Sequence, residues 1–250
     1  MTLSNNDIKR IRSLQQKKFR DQTGLFVVEG EKMVSEAIAS PYTVEKIYRR
    51  DETGDEVMRR ISALANPSPA LALVRKPSDS QIDDPSVLSP LMKDGGLFLA
   101  LDSIRDPGNL GTILRIADWF GIKAVFASKD TVDVFNPKVV QATMGAIFRV
   151  RLHYVDLPHT ASMIISQGGK VYGTFLDGEN MYSLGLETGE KMPVMIVIGN
   201  ESEGISCEVE SLVSDRLYIP PFPVDSPGSE SLNAAVATAI TVAEFRRRSI

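Results

Sequence analysis

From residue 95 onward the chain alternates short apolar runs with amphipathic stretches. The runs are LFLALD (97–102), KAVFAS (123–128), KVYGTFLD (170–177), VMIVIGN (194–200) and RLYIP (216–220). Continuous apolar runs of this length suit strands buried on both faces, and the stretches between them carry the 3.6-residue period of helices. A mostly parallel sheet covered by helices on both sides buries all of them at once. In such a sheet ligands bind outside the carboxyl ends of the strands, so the strand-to-helix connections are where function is expected.

Upstream, residues 5 to 18 and EKMVSEAIAS (31–40) read as helices, LFVVEG (25–30) and TVEKIYRR (43–50) as strands, 53 to 65 as helical and LALVRK (71–76) as extended. Together they predict a small βαβ-type module. KPSDSQIDDPSVLSP (76–90) is rich in Pro, Ser and Asp without sustained periodicity and reads as a linker. The expected organisation is therefore a domain over 1–76, a linker over 77–94 and a larger domain over 95–250. Charge is divided along the chain: residues 1 to 80 hold 14 Lys and Arg against 11 Asp and Glu, and the remainder 14 against 21. Lys9, Arg10, Arg12, Lys17, Lys18 and Arg20 oppose only Asp7 and Asp21 at the start, a cluster that suits either a polyanion or a solvated helix face.

Four connections hold most of the unusual residues. In DPGNLGTILRIADWFG (106–121) Asn109 can cap a helix, Gly121 can stop it, and Leu110, Ile113, Leu114, Ala117 and Phe120 share its apolar stripe. Arg115 lies off that stripe, on a flank with Gly111 and Asp118. A surface pair with Asp118 would account for it without any function. GNESEG (199–204) combines two glycines, which let a backbone approach a ligand, with four polar side chains; an acidic turn before a helix has the same composition. LDGEN (176–180) follows the third run. PPFPVDSPGSESLN (220–233) is stiffened by proline and leads into a helix expected from about Ser231, with Ser231 as its cap and Asn233 in its first turn.

Several chemistries are disfavoured. Cys207 is the single cysteine, which rules out an intrachain disulfide and a thiolate zinc cluster. His153 and His159, the only histidines, lack metal-ligand spacing and are expected on the surface or satisfied in the core. No G-x-S-x-G elbow, P-loop or G-x-G-x-x-G fingerprint occurs. No apolar run is long enough to span a bilayer and the start MTLSNNDIKR lacks a signal-peptide core, so a cytoplasmic protein with no membrane partner is expected.

Taken together, DPGNLGTILRIADWFG, VIGNESEGIS and IPPF…SLNAAVATAI resemble, in order and spacing, the three motifs of the SpoU (TrmH) family of RNA ribose 2′-O-methyltransferases of the SPOUT superfamily. KKFRDQTGLFVVEGEKMVSEAI (17–38) is similar to the opening of the substrate-binding domain attached to many members. The resemblance implies an α/β catalytic domain with a deep trefoil knot, a small N-terminal L30e-like α/β domain, S-adenosylmethionine as cofactor, no metal, and a homodimer acting on RNA, ribosomal ahead of transfer RNA. Carried over by position, Asn109, Arg115, Glu201, Ser231 and Asn233 would form the catalytic set. Thr174, Gly199, Ile219 and Leu232 would hold the cofactor. The segment from Ile219 to Leu232 is longer and richer in proline than the family pattern. Arg115 would then either clamp a phosphate bidentately or lose a proton in a desolvated pocket, against the strong preference of guanidinium for its charged form. A non-catalytic RNA-binding or ribosome-assembly protein on the same fold is the alternative of a different class, and base methylation fits the motif set less well.

Overall fold

The computed structural model describes residues 3–79, 85–188, 192–223 and 230–249. Helices α1 (Asn5–Ser13) and α2 (Lys17–Thr23) lead into strand β1 (Leu25–Glu29), α3 (Glu31–Ala39), β2 (Val44–Arg49), α4 (Arg50–Thr53), α5 (Asp55–Ile61) and β3 (Ala70–Arg75). A 3₁₀ turn (Pro85–Leu88) and α6 (Ser89–Lys93) precede β4 (Gly96–Leu101), α7 (Pro107–Trp119), β5 (Val125–Ala127) and α8 (Pro137–Ala142). After a second 3₁₀ turn (Ala146–Phe148) come β6 (Leu152–Tyr154), α9 (Leu157–Ser166), β7 (Lys170–Asn180) and β8 (Pro193–Ile198). Helix α10 (Cys207–Glu210), β9 (Asp215–Tyr218) and α11 (Ala234–Arg248) complete the chain.

Two compact units result, one formed by Met1–Ser78 with Asp133–Arg149 and the other by Asp79–Val132 with Val150–Ile250. In the second unit six strands form one parallel sheet in the order β6-β5-β4-β8-β7-β9. Five match the apolar runs. The sixth, β6, falls outside those runs because Arg151 and His153 interrupt its apolar character, yet His153 is buried, with Nδ1 2.8 Å from the Asp79 carbonyl and Nε2 without a partner among the described residues. It is thus a core residue with one ring nitrogen satisfied among the described residues. All six residues of β8 are buried, and Phe98, Phe126, Val171, Met195 and Val197 fill the core. The strand order reverses between β4 and β8, so the loops that follow these two strands flank the switch point where parallel sheets place ligands.

Part of the expected linker is built into this core. Leu88 and Met92 are fully buried in it, although Pro and Ser around them break the helical period; residues 80–84 lie outside the described residues. At the other end α11 caps α7: Arg246 donates from Nε and an η-nitrogen to the carbonyls of Phe120 (2.8 Å) and Gly121 (2.7 Å), and Gly121 takes the positive φ of +59° that ends α7. Glu244, buried near the end of α11, accepts from Arg247 (2.8 and 2.9 Å) and Arg248 (2.7 Å). Hydrogen bonding by Arg247 first, and then Arg248, against the opposing effect of burial, pulls its carboxyl from the ordinary 4.5 down to about 2. A depressed carboxyl stabilises the fold above the unfolded value and loses that contribution as pH falls from 4.5 towards 2. Urea midpoints measured down that range should fall, and Glu244→Gln should flatten this acid limb while lowering stability at neutral pH.

In the first unit β3 pairs antiparallel with both β1 and β2, in the order β1-β3-β2. The module is therefore not a simple βαβ: the most buried run, ALALV, takes the centre and separates the two strands joined by α3. The helix expected over 5 to 18 breaks at Leu14–Gln16 into α1 and α2, with Ser4 and Asp7 forming a capping box at its start. Segment Asp133–Arg149 joins this unit, outside the expected 1–76 boundary, because its aromatic side chains complete the core: Phe135 lies 4.8 Å from Phe26 and Phe148 5.3 Å from Tyr42, ring centre to ring centre. Arg20 also leaves the expected surface cluster. It is buried and pairs with Asp133 at 2.6 Å. No helix among the described residues is long and apolar enough to cross a membrane.

Candidate active site at the carboxyl ends of the strands

The loop after β4 and the loop after β8 are tied together before either reaches a ligand. Asp102, at the end of β4 and 3% exposed, accepts from the backbone nitrogen (2.8 Å) and hydroxyl (2.7 Å) of Ser206. Asn200 donates to the Ser103 carbonyl at 2.8 Å and accepts from the backbone nitrogens of Ser202 and Glu203 at 2.8 and 3.1 Å. Arg105 adds a fork to the Glu203 carboxylate at 3.1 and 3.0 Å. The 200–204 turn closes through two backbone bonds of 3.0 Å between Asn200 and Gly204. Glycine is required at 199 because a Cβ there would stand 2.4 Å from the Gly204 carbonyl carbon.

On this frame three side chains from three loops meet. Asn109 donates its amide nitrogen to the Glu201 carboxylate, and its amide oxygen accepts from Asn233 at 2.8 Å. The Asn109 side chain is free to do so because it does not cap α7. Asp106 does, accepting from the Asn109 backbone nitrogen at 2.8 Å, with Pro107 at the first helical position. Ser231 likewise is not the cap of α11. Asn233 is, its oxygen accepting from Ala235 (3.0 Å) and Val236 (3.3 Å) while its amide nitrogen reaches Asn109. An asparagine can serve helix and site at once, having a donor and an acceptor; a serine hydroxyl has less reach. Ser231 is exposed and makes no hydrogen bond among the described residues.

The remaining expected residues divide into two groups. Thr174 lies within β7 as its last residue paired with β9 before the register shift, Gly199 follows β8 and Ile219 follows β9; the three strands are neighbours in the sheet and all three residues are half-exposed. The Thr174 hydroxyl donates to the Val197 carbonyl at 3.3 Å. Leu232 offers an apolar side chain, 45% exposed, beside Asn233. Half-exposed backbone polar groups and an apolar side chain are the two kinds of group an adenosyl base needs. Arg115 is not brought into the Asn109 cluster. It is exposed and makes no ion pair or hydrogen bond among the described residues, and six positions after Asn109 places it about 9 Å further along α7 and about 120° around it. Among the described residues no group of three His, Cys, Asp or Glu is arranged to hold a metal. Asp102, Asn200 and Arg105 position the loops without having been singled out; for Asn200 the signal was present in GNESEG, and for Asp102 in its place as the last residue of the run LFLALD.

A model of the SpoU rRNA methylase family matches residues 96–243, across all three loops of this cluster. The chain belongs to that family. An MRM3-like substrate-binding domain matches residues 5–66 of the N-terminal unit. Over 97% of this chain and 96% of the relative, the sequence is 30% identical to the 23S rRNA (guanosine(2553)-2′-O)-methyltransferase RlmP of Bacillus subtilis. A solved Porphyromonas gingivalis protein described as an RNA methyltransferase of the TrmH family superposes with a TM-score of 0.85 at 38% identity, covering 98% of this chain and 99% of that one. A solved AdoMet-bound rRNA methyltransferase from Sinorhizobium meliloti superposes with the same TM-score at 28% identity, covering 100% and 98%. These SpoU relatives share both units with the chain.

Proposed function

We propose that this SpoU chain transfers a methyl group from S-adenosylmethionine to a ribose 2′-hydroxyl of structured RNA, ribosomal RNA ahead of transfer RNA. The observation that carries the reading is the Asn109–Glu201–Asn233 cluster, in which one residue from each motif loop is hydrogen-bonded at the carboxyl end of the parallel sheet. The cofactor supplies an already activated methyl group, so the protein has to align the hydroxyl and receive its proton. Gly199, Ile219, Thr174 and Leu232 would hold the adenosyl part. Glu201 has one carboxylate oxygen engaged by Asn109 and the other without a partner among the described residues, available to the ribose hydroxyl. Arg115 would then clamp the neighbouring phosphate with its fork.

The site is completed in a homodimer. Beside Arg115 on α7, Ile116 is half-buried and Trp119 is 84% exposed, and Val236 on α11 is 47% exposed. A second copy covering these apolar side chains would bring Arg115 to the cluster of its partner. The knot, the cytoplasmic location and the RNA-binding role of the N-terminal unit belong to the same reading. With tritiated S-adenosylmethionine and RNA, Arg115→Lys should lose turnover by about 100-fold while calorimetry shows unchanged affinity for S-adenosylhomocysteine, because lysine keeps the charge and loses the fork. Turnover at the wild-type rate would overturn the assignment, and a wild-type chain that binds RNA but takes up no S-adenosylhomocysteine would favour a non-catalytic RNA-binding protein.

A further inference from the structure

We infer that Arg216 is a positioning residue for the cofactor, holding in place the looped-out segment 175–178 that adjoins Thr174. This rests on the cofactor reading above. Strands β7 and β9 are in register from Tyr172↔Asp215 to Thr174↔Leu217, after which Glu179 and Asn180 pair with Leu217 and Tyr218. Leu217 thus faces both Thr174 and Glu179, and the four residues between them loop out of the sheet. Such a loop has no ladder bonds of its own and needs to be held from outside.

Arg216 does this with its whole side chain. Its guanidinium carbon lies 3.6 Å from the centre of the Phe175 ring, the first residue of the loop. One η-nitrogen donates to Asp177 in the middle of the loop, and the other to Glu210 at the end of α10. The last residue, Gly178, rests on the Arg216 backbone itself, where a Cβ would come within 2.5 Å of the carbonyl oxygen. Stacking, ion pair and backbone contact therefore fix the beginning, middle and end of the loop from one residue.

The loop begins next to Thr174 and Arg216 precedes Ile219 by three residues, so it connects two of the backbone segments expected to hold the adenosyl group. The Asp177 and Arg216 side chains are 76% and 36% exposed. Exposed ion pairs contribute little to stability, so the arrangement is better accounted for by fixing the loop beside Thr174 than by holding the fold.

The test is calorimetry of the full-length protein with S-adenosylhomocysteine, alongside steady-state kinetics and thermal melts. Arg216→Ala should weaken S-adenosylhomocysteine binding by about tenfold and raise KM for S-adenosylmethionine by a like factor, with kcat at saturation and RNA affinity within about twofold of wild type. Arg216→Lys, which retains a cation over Phe175, should recover part of the loss. Binding within about twofold of wild type in Arg216→Ala would overturn the inference. Should that variant not fold, Asp177→Ala, which removes the middle contact at an exposed side chain, should show a smaller loss of about threefold, and an affinity equal to that of wild type there would overturn it equally. If the wild-type protein itself binds no S-adenosylhomocysteine, the cofactor reading fails, which is distinct from an Arg216 variant matching a wild type that does bind.

Discussion

Asn109→Asp is expected to lower methyl transfer by about 10² to 10³-fold while leaving the fold and cofactor affinity intact, as judged by tritium incorporation, melting and calorimetry. The substitution is isosteric, yet it replaces the amide nitrogen that donates to Glu201 by an oxygen. Two carboxyl groups within hydrogen-bond distance cannot both stay ionised, so they share a proton, and Glu201 holds its negative charge only part of the time and is a weaker acceptor for the ribose hydroxyl. Asn233 keeps a suitable partner, because the remaining oxygen still accepts its amide nitrogen. A variant as active as wild type would show that the cluster does not handle the proton. The same variant also tests whether Arg115 acts across a dimer. Mixed in equal amounts with Arg115→Lys after reversible dissociation, it should restore about one quarter of wild-type activity, since half the dimers are mixed and each has one intact site of two. No recovery in a mixture shown to exchange subunits would place Arg115 outside the partner's site.

Why the parallel sheet could be read from the sequence, and the caps could not, follows from the range of the interactions. Strands such as β4 and β8 are buried on both faces, so their composition alone marks them. β6 escaped because its burial depends on neighbours in space that make room for His153. The residues of the site were visible as unusual polar positions after strands, whereas their local roles were not. Asp106, Asn109, Ser231 and Asn233 are all good capping residues by chemistry. Which of them caps is settled by the contact between Asn109 and Asn233, 124 positions apart. The ties made by Asp102 and Asn200 depend in the same way on two loops meeting. Segment Asp133–Arg149 grouped with the N-terminal unit for a reason no window of sequence contains, the fit of Phe135 against Phe26.

Asp133→Ala should lower the stability of the N-terminal unit by about 3 to 5 kcal/mol, measured by urea unfolding, the largest stability loss expected here from a single change. Arg20 is 1% exposed, and its Nε and one η-nitrogen both donate to the same Asp133 oxygen, at 3.0 and 2.6 Å. Its other η-nitrogen donates to the carbonyls of Leu14 (2.8 Å) and Gln15 (2.9 Å), which lie in the break between α1 and α2. Removing the carboxylate leaves a cation in the core with the carbonyls of Leu14 and Gln15 as its partners among the described residues. Pairing Asp133→Leu with Arg20→Met removes both charges and should recover most of the stability, at the cost of two carbonyls at the helix break and the Phe135 backbone nitrogen, which donates to Asp133 at 3.1 Å, losing their partners. The pair also separates structure from RNA contact. A buried guanidinium releases no counterions, so the salt dependence of RNA binding should keep its slope in the double variant. Lys9, Arg12 and Lys18 are exposed on the same two helices, and replacing any one of them should reduce that slope by about 0.7 to 0.9 without changing the urea midpoint. The opposite pattern, with the slope lost in the double variant and kept in the Lys9, Arg12 and Lys18 variants, would put Arg20 among the side chains that contact RNA.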